Sequence, residues 1–195
     1  MGKVYLFIVF LFSSVLAYSQ AGQWVWLHGA NTTNSSGSHG TKGIPSTSND
    51  PPAVYEPNEW KDKNGNFWFY GGLNYAFSNC YPDLWKYDPV ANEWTWISGS
   101  GVANDQGNWG VQGVPSPLNL PPALSWGVTS WVDTSGNFWM LGGMNYTAGT
   151  FSDLWKYDLS TNEWTWMKGP GTSGYSGLYG IQGVPDIANN PSSRG

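Results

Sequence analysis

Residues Asp153 to Met167, DLWKYDLSTNEWTWM, nearly restate Asp83 to Ile97, DLWKYDPVANEWTWI, 70 positions earlier. A partial third copy, QWVWL at Gln23 to Leu27, lies another 70 positions back. A chain written this way folds as like units that bury their apolar faces against one another. The wording also fixes the local structure. Leu154 to Tyr157 is a short aromatic run, Asp158 to Asn162 is a polar break suited to a tight turn, and Glu163 to Met167 alternates polar and aromatic residues. Period two puts Trp164 and Trp166 on one face of a strand, with Glu163 and Thr165 on the other.

The rest of each unit follows the same logic. Gln23 to Leu27 aligns with Glu93 to Ile97 and Glu163 to Met167 and is expected as a strand. A Gly-, Asn- and Ser-rich loop then leads through GIPS (Gly43 to Ser46), GVPS (Gly113 to Ser116) or GVPD (Gly183 to Asp186) to a proline pair, or in the last case to Pro191. A strand is expected after the prolines, clearest at Ser125 to Val132 and weaker at Val54 to Lys61, which carries Pro57 and two glutamates. Asp62-Lys63-Asn64-Gly65 and Asp133-Thr134-Ser135-Gly136 read as hairpin turns with the glycine at positive φ. A calcium loop would need more acidic positions and a late Glu than DKNG offers. Asn66 to Tyr70 and Asn137 to Leu141 are the next strands, each followed by a glycine pair and a loop into the LWKY strand. Each unit thus has four strands, and the length beyond the roughly 40 to 50 residues of an ordinary blade lies in the link between units.

Composition agrees with an all-β chain. Of the 195 residues 17% are aromatic and 11% charged, with 26 Gly and 13 Pro. A net charge of −5 without a basic patch argues against a nucleic-acid partner. The single cysteine, Cys80, has no internal disulfide partner, so the core must hold the fold. Lys3, the apolar run Val4 to Leu16 and the small residues of Ala17-Tyr18-Ser19 read as a signal peptide over residues 1–19. Residues 20–195 are then the exported chain, secreted or at the cell surface, with no membrane span after signal removal.

A hydrophobic strand ending in Gly-Gly, then a Tyr, six residues and a Trp, resembles the kelch repeat. Gly71, Gly72, Tyr87 and Trp94 carry the pattern once, and Gly142, Gly143, Tyr157 and Trp164 carry it again. The wording is similar to exported bacterial kelch proteins related to the central domain of galactose oxidase. The resemblance implies an all-β, partial kelch-type β-propeller with two complete four-stranded blades and flanking partial units, over residues 23–92, 93–162 and 163–195. It also implies that the rest of a longer propeller completes the ring, since units at the flanks would expose aromatic faces. The Arg that the family places after the prolines has one match, Arg194; Val54 and Leu124 stand at the equivalent positions.

Residues repeated in both units are expected to serve the unit, because a ligand site would break the equivalence. On that ground Trp68, Trp85, Trp94, Trp139, Trp155 and Trp164 are assigned to the core. In a four-strand meander the first and third connections share one end, and the second connection and the inter-unit link share the other. The long connections carry Tyr75, Trp109, Tyr146, Tyr175 and Tyr179, which are the candidate binding residues. No catalytic residue, metal site or cofactor is assigned. Only His28 and His39 could supply imidazole, and Cys80 beside Tyr81 is a faint echo of a copper oxidase without its ligand motifs. The functional expectation is a binding or scaffold module for protein or glycan. The alternative is part of a galactose-oxidase-like enzyme whose catalytic residues lie outside this chain.

Overall fold

The computed structural model describes residues 22–194; the signal peptide expected at residues 1–19 lies outside the described residues. Eight strands form two sheets: β1 Asn58–Lys61, β2 Phe67–Tyr70, β3 Leu84–Asp88, β4 Glu93–Ser98, β5 Thr129–Val132, β6 Phe138–Asn145, β7 Gly149–Asp158 and β8 Glu163–Lys168. Each sheet is a four-stranded antiparallel meander in chain order, β1 to β4 and β5 to β8. No helix occurs among the described residues, so none there is long and apolar enough to cross a membrane.

Turn chemistry sets the hairpins. The Asp62 carboxylate accepts the backbone N–H groups of Asn64 and Asn66, the Asn66 amide and the Trp68 indole N–H. Asp133 does the same for Ser135, Asn137 and Trp139, and these bonds hold its pKa down at about 2. One carboxylate thus ties the turn to the tryptophan of the strand that follows. At the other turns Asn92 and Asn162 adopt left-handed φ and accept the hydroxyl hydrogens of Tyr87 and Tyr157.

The core lies between the sheets. Trp60, Trp68 and Tyr70 from the first sheet meet Phe138, Met140, Tyr157 and Trp164 from the second. Trp60 stacks on Phe138 at 5.1 Å, Trp68 meets it edge-on at 5.2 Å, and Tyr70 meets Trp164 at 5.3 Å. The two faces of a sheet are therefore different surfaces, and the contact joins one kind to the other. Position decides burial even where the words repeat. Trp68, Trp85, Trp155 and Trp164 are buried, as expected, whereas Trp94 and Trp139 are half-buried on the outer faces.

Three strand expectations need correction. The strands after the prolines are shorter than read, because left-handed residues at Glu56, Trp126 and Gly127 interrupt them. The weaker one nonetheless supplies Trp60 to the core, since packing against Phe138 outweighs the poor local pattern. In the second unit the expected loop after Gly142-Gly143 is a tight hairpin, with β6 running on to Asn145 and β7 starting at Gly149. The buried Asn145 side chain accepts the N–H groups of Thr147 and Ala148 and closes that turn. Gln23 to Leu27 forms no strand: it has no ladder partner among the described residues, and its side chains are exposed.

The glycine pair joins one unit to the next. Gly72 N–H donates to the Leu124 carbonyl at 2.9 Å, and a Cβ on Gly71, whose φ is 80°, would lie 2.1 Å from the same oxygen. Gly71→Ala should therefore destabilise the fold by at least ~1–3 kcal/mol. Gly142→Ala, whose Cβ would meet nothing nearer than 3.4 Å, should cost visibly less in the same urea titration.

Candidate functional site

Two places break the equivalence of the units. The first is an aromatic trio at the long-connection end. Tyr55 comes from the segment before β1, Phe77 from the β2–β3 connection and Trp126 from the segment before β5. Phe77 and Trp126 stack at 5.7 Å with 24° between planes, and Tyr55 stands edge-on to both at 6.1 and 6.3 Å. Tyr55 is 49% and Phe77 43% exposed, while Trp126 is half-buried. The trio rests on a small apolar cluster of Leu73, Cys80 and Ala123, with Trp126 packed against it. Burial raises the Cys80 thiol to about 11, so it is a neutral packing group.

The local backbone holds the rings in place. Tyr55 and Leu73 exchange backbone hydrogen bonds at 2.7 and 2.9 Å. Asn74 Oδ1 accepts the N–H groups of Ser78 and Asn79, folding the connection so that Phe77 projects at its tip. Phe77 and Trp126 have φ values of 52° and 36°, in the left-handed region that bulky residues avoid. Such a conformation costs about 1–3 kcal/mol at each residue and is concentrated at functional sites; at Trp126 it is shared by Glu56, the equivalent residue of the first unit, whereas Phe77 has no such twin. The second unit has no copy of the trio: Ser125 stands opposite Tyr55, and its connection is the short hairpin.

The second departure is an imidazole on a buried carboxylate. His39 Nε2 lies 3.2 Å from Asp83 Oδ2, and the His39 ring packs on Trp85 and Trp96 at 5.1 and 4.8 Å. Asp83 Oδ1 accepts the Trp96 indole N–H and the Gly101 N–H. In the second unit Trp109 replaces His39 and Asp153 replaces Asp83. Asp153 Oδ1 keeps its two bonds, from Trp166 and Gly171, but Oδ2 is buried without a partner among the described residues. Burial pushes the Asp153 carboxyl up to about 6.

The five binding residues expected from the sequence do not converge. Trp109 is packed against Phe151, Trp155 and Trp166 at 5.1 to 5.9 Å and belongs to the second sheet's packing. Tyr75 and Tyr146 are exposed on separate connections, Tyr175 is half-buried, and the Tyr179 hydroxyl is tied to Ser192. The sequence signal for Tyr55, Phe77 and Trp126 is that they are aromatic loop residues without a counterpart in the other unit. A cavity of about 860 Å³ opens at the opposite end, between the turns at Asp62 to Asn66 and Asp158 to Asn162. Its aspartates already hold their own turns together. No group of three or more metal-ligating side chains occurs among the described residues.

No protein-family model matches the chain, and no curated protein matches it in sequence. Among solved structures it is similar to that of YjhT, with 17% identity and a TM-score of 0.42, over 65% of this chain and 41% of that one. The chain therefore spans about two fifths of that protein's length.

Proposed function

We propose that the chain is part of an exported kelch-type β-propeller that binds glycan on the aromatic trio Tyr55, Phe77 and Trp126. The propeller reading is supported by two meanders of four strands stacked face to face and by the repeated Gly-Gly, Tyr and Trp. Export is supported by the residue pattern at 1–19 alone. The observation that carries the binding reading is the trio: two exposed rings and one half-buried, from three separate segments, with Phe77 held at a backbone cost, and absent from the twin unit. Sugar rings present flat C–H faces that pack on aromatic rings, and flanking groups such as Asn74, Ser78 and the Tyr55 hydroxyl can bond to sugar hydroxyls. The scarcity of charge and the net −5 fit a neutral ligand better than a phosphate backbone.

Titration with soluble oligosaccharides of gluco-, xylo-, manno- and chito-type, followed by calorimetry, should find at least one that binds. Phe77→Ala and Trp126→Ala should each weaken that binding about tenfold or more, equivalent to about 1.4 kcal/mol. Trp131→Ala, on the outer face of β5, should leave it unchanged. Failure of every oligosaccharide class to bind, or binding indifferent to both ring deletions, would overturn the reading.

A further inference from the structure

Most of the cationic side chains among the described residues are already in use. Lys42 Nζ donates to the Gly99 carbonyl at 2.6 Å and lies over the Trp96 ring, and Lys61 lies over the Phe67 ring. Lys168 Nζ donates to the Ile187 carbonyl, and the Arg194 guanidinium bonds to Ser192. Among the described residues the only side-chain base within reach of a carboxylate is His39, on Asp83. Lys63, Lys86 and Lys156 have no carboxylate, hydrogen-bond or ring partner among the described residues. Two of these three, Lys63 and Lys86, line the same cavity, the one of about 860 Å³ at the short-turn end.

Both walls of this cavity belong to complete four-stranded sheets. Lys86 sits on β3 in register with Trp68 on β2 and Thr95 on β4, so its side chain stands on the face that packs against the second sheet. It is half-buried there. An ammonium withdrawn from water without a partner costs free energy, which a bound anion offsets. Lys63 reaches the cavity from the Asp62 to Asn66 turn, and Thr134 stands in its place in the second unit. Lys156 repeats Lys86, but its register partners Trp139 and Thr165 put it on the outer face of the second sheet, away from the cavity. The two carboxylates that line the cavity do not answer its lysines. Asp62 accepts four N–H groups from its own turn and strand, and Asp158 Oδ1 accepts the N–H and the hydroxyl hydrogen of Ser160. Neither stands within ion-pair distance of Lys63 or Lys86.

The rest of the lining is amide, hydroxyl and a little apolar surface. Asn162 accepts the Tyr157 hydroxyl hydrogen on Oδ1 and keeps its amide hydrogens free among the described residues. Ile97 and Leu159, both half-buried, supply a surface for C–H groups. We propose that this cavity binds a phosphorylated saccharide, with Lys63 and Lys86 on the phosphate and Asn64, Ser160 and Asn162 on the sugar hydroxyls. Two cations match one phosphate monoester, which carries about −1.5 to −2 near pH 7. They do not match a backbone of phosphates, which needs a row of them. No arginine lines the cavity, so the planar fork that pairs with a carboxylate is missing, and lysines act on the anion as point charges. The volume is far more than one phosphate fills and lies in the range of roughly 300–1,000 Å³ found for small-molecule sites, which leaves room for the carrier. The site stands at the opposite end of the sheets from the aromatic trio and does not rest on it.

Calorimetric titration of the chain with glucose 6-phosphate, mannose 6-phosphate and N-acetylglucosamine 6-phosphate should find at least one that binds, and more weakly as salt is added. The parent sugar without phosphate and inorganic phosphate without sugar should each bind at least about tenfold more weakly than that ester. Lys86→Met keeps the apolar stem and removes the charge, and Lys63→Ala changes an exposed turn position that no hydrogen bond uses. Each should weaken the ester about tenfold or more. Lys61→Ala removes the same charge from the outer face of the first sheet and should leave the affinity unchanged, as should Phe77→Ala and Trp126→Ala in the trio. Failure of all three esters to bind would overturn the proposal, as would binding that survives the loss of both cavity lysines or falls equally with Lys61→Ala. Equal affinity for inorganic phosphate and the ester would overturn the saccharide carrier.

Discussion

Trp164→Ala should lower the unfolding free energy by about 3–5 kcal/mol, the range for removing a buried tryptophan from a packed core. Trp164 is 1% exposed. It packs on Tyr157 at 4.9 Å and Trp155 at 6.5 Å within its own sheet and on Tyr70 at 5.3 Å across the contact between sheets. Its indole N–H donates to Ser98 Oγ at 3.4 Å, at the end of β4. Trp94 occupies the same place in the first unit but stands on the outer face. Its ring neighbours are Phe69, Trp85 and Tyr87, all within its own sheet. Trp94→Ala should therefore cost much less than Trp164→Ala in the same urea or thermal unfolding experiment. Equal losses from the two would mean that the sheets do not stack through Trp164 and Tyr70.

The second large effect is a dependence on pH centred on Asp153. Its side chain is 1% exposed, one oxygen has no partner among the described residues, and burial raises its pKa from 3.8 to about 6. The folded state therefore holds a proton that the unfolded chain releases between about pH 4 and pH 6. The contribution of this group is fully present below about pH 4, is lost as pH rises to about 6, and is flat above that. A rise of this size corresponds to about 3 kcal/mol. Asp153→Asn keeps an acceptor for Trp166 and Gly171 and cannot ionise, so its stability should not fall across that window. The readout is the difference between wild type and variant from about pH 4 to about pH 7. Asp133, held down at about 2, acts in the opposite sense at lower pH and cancels in that difference. A wild type and variant that run parallel across the window would show that Asp153 does not carry the proton.

The strands are legible wherever the repeat is. LWKY and EWTW alternate as strands must, and the turns between them carry Asp88 and Asp158, which accept the turn's own N–H groups, and Asn92 and Asn162, which accept tyrosine hydroxyls. Trp60 is not legible, because Pro57 and the glutamates around it weaken the local pattern and only the stacking on Phe138 makes it core. The hairpin at Asn145 is hidden for a related reason: a loop and a hairpin of similar composition differ in where one buried amide points. Gln23 to Leu27 shows the converse, a strand sequence without a ladder among the described residues. Loop length points to the end of the sheets where the aromatic trio stands. It does not separate Trp109, which is packing, from Tyr55, Phe77 and Trp126, whose meeting depends on three separate backbone paths.

The segments that lead into the two sheets also bear on how the molecule opens. The last strand of a sheet is ordinarily where fraying and hydrogen exchange begin, because one side of it is unpaired. Here the segment that leads into each unit crosses to that unit's far edge and pins it: residues 43–49 on β4 and residues 113–119 on β8. The first part of the unit in chain order and the last strand are thereby one mechanical element. Peeling the edge requires the leader to come away as well, so each unit should exchange its amides as a whole rather than from the rim inward.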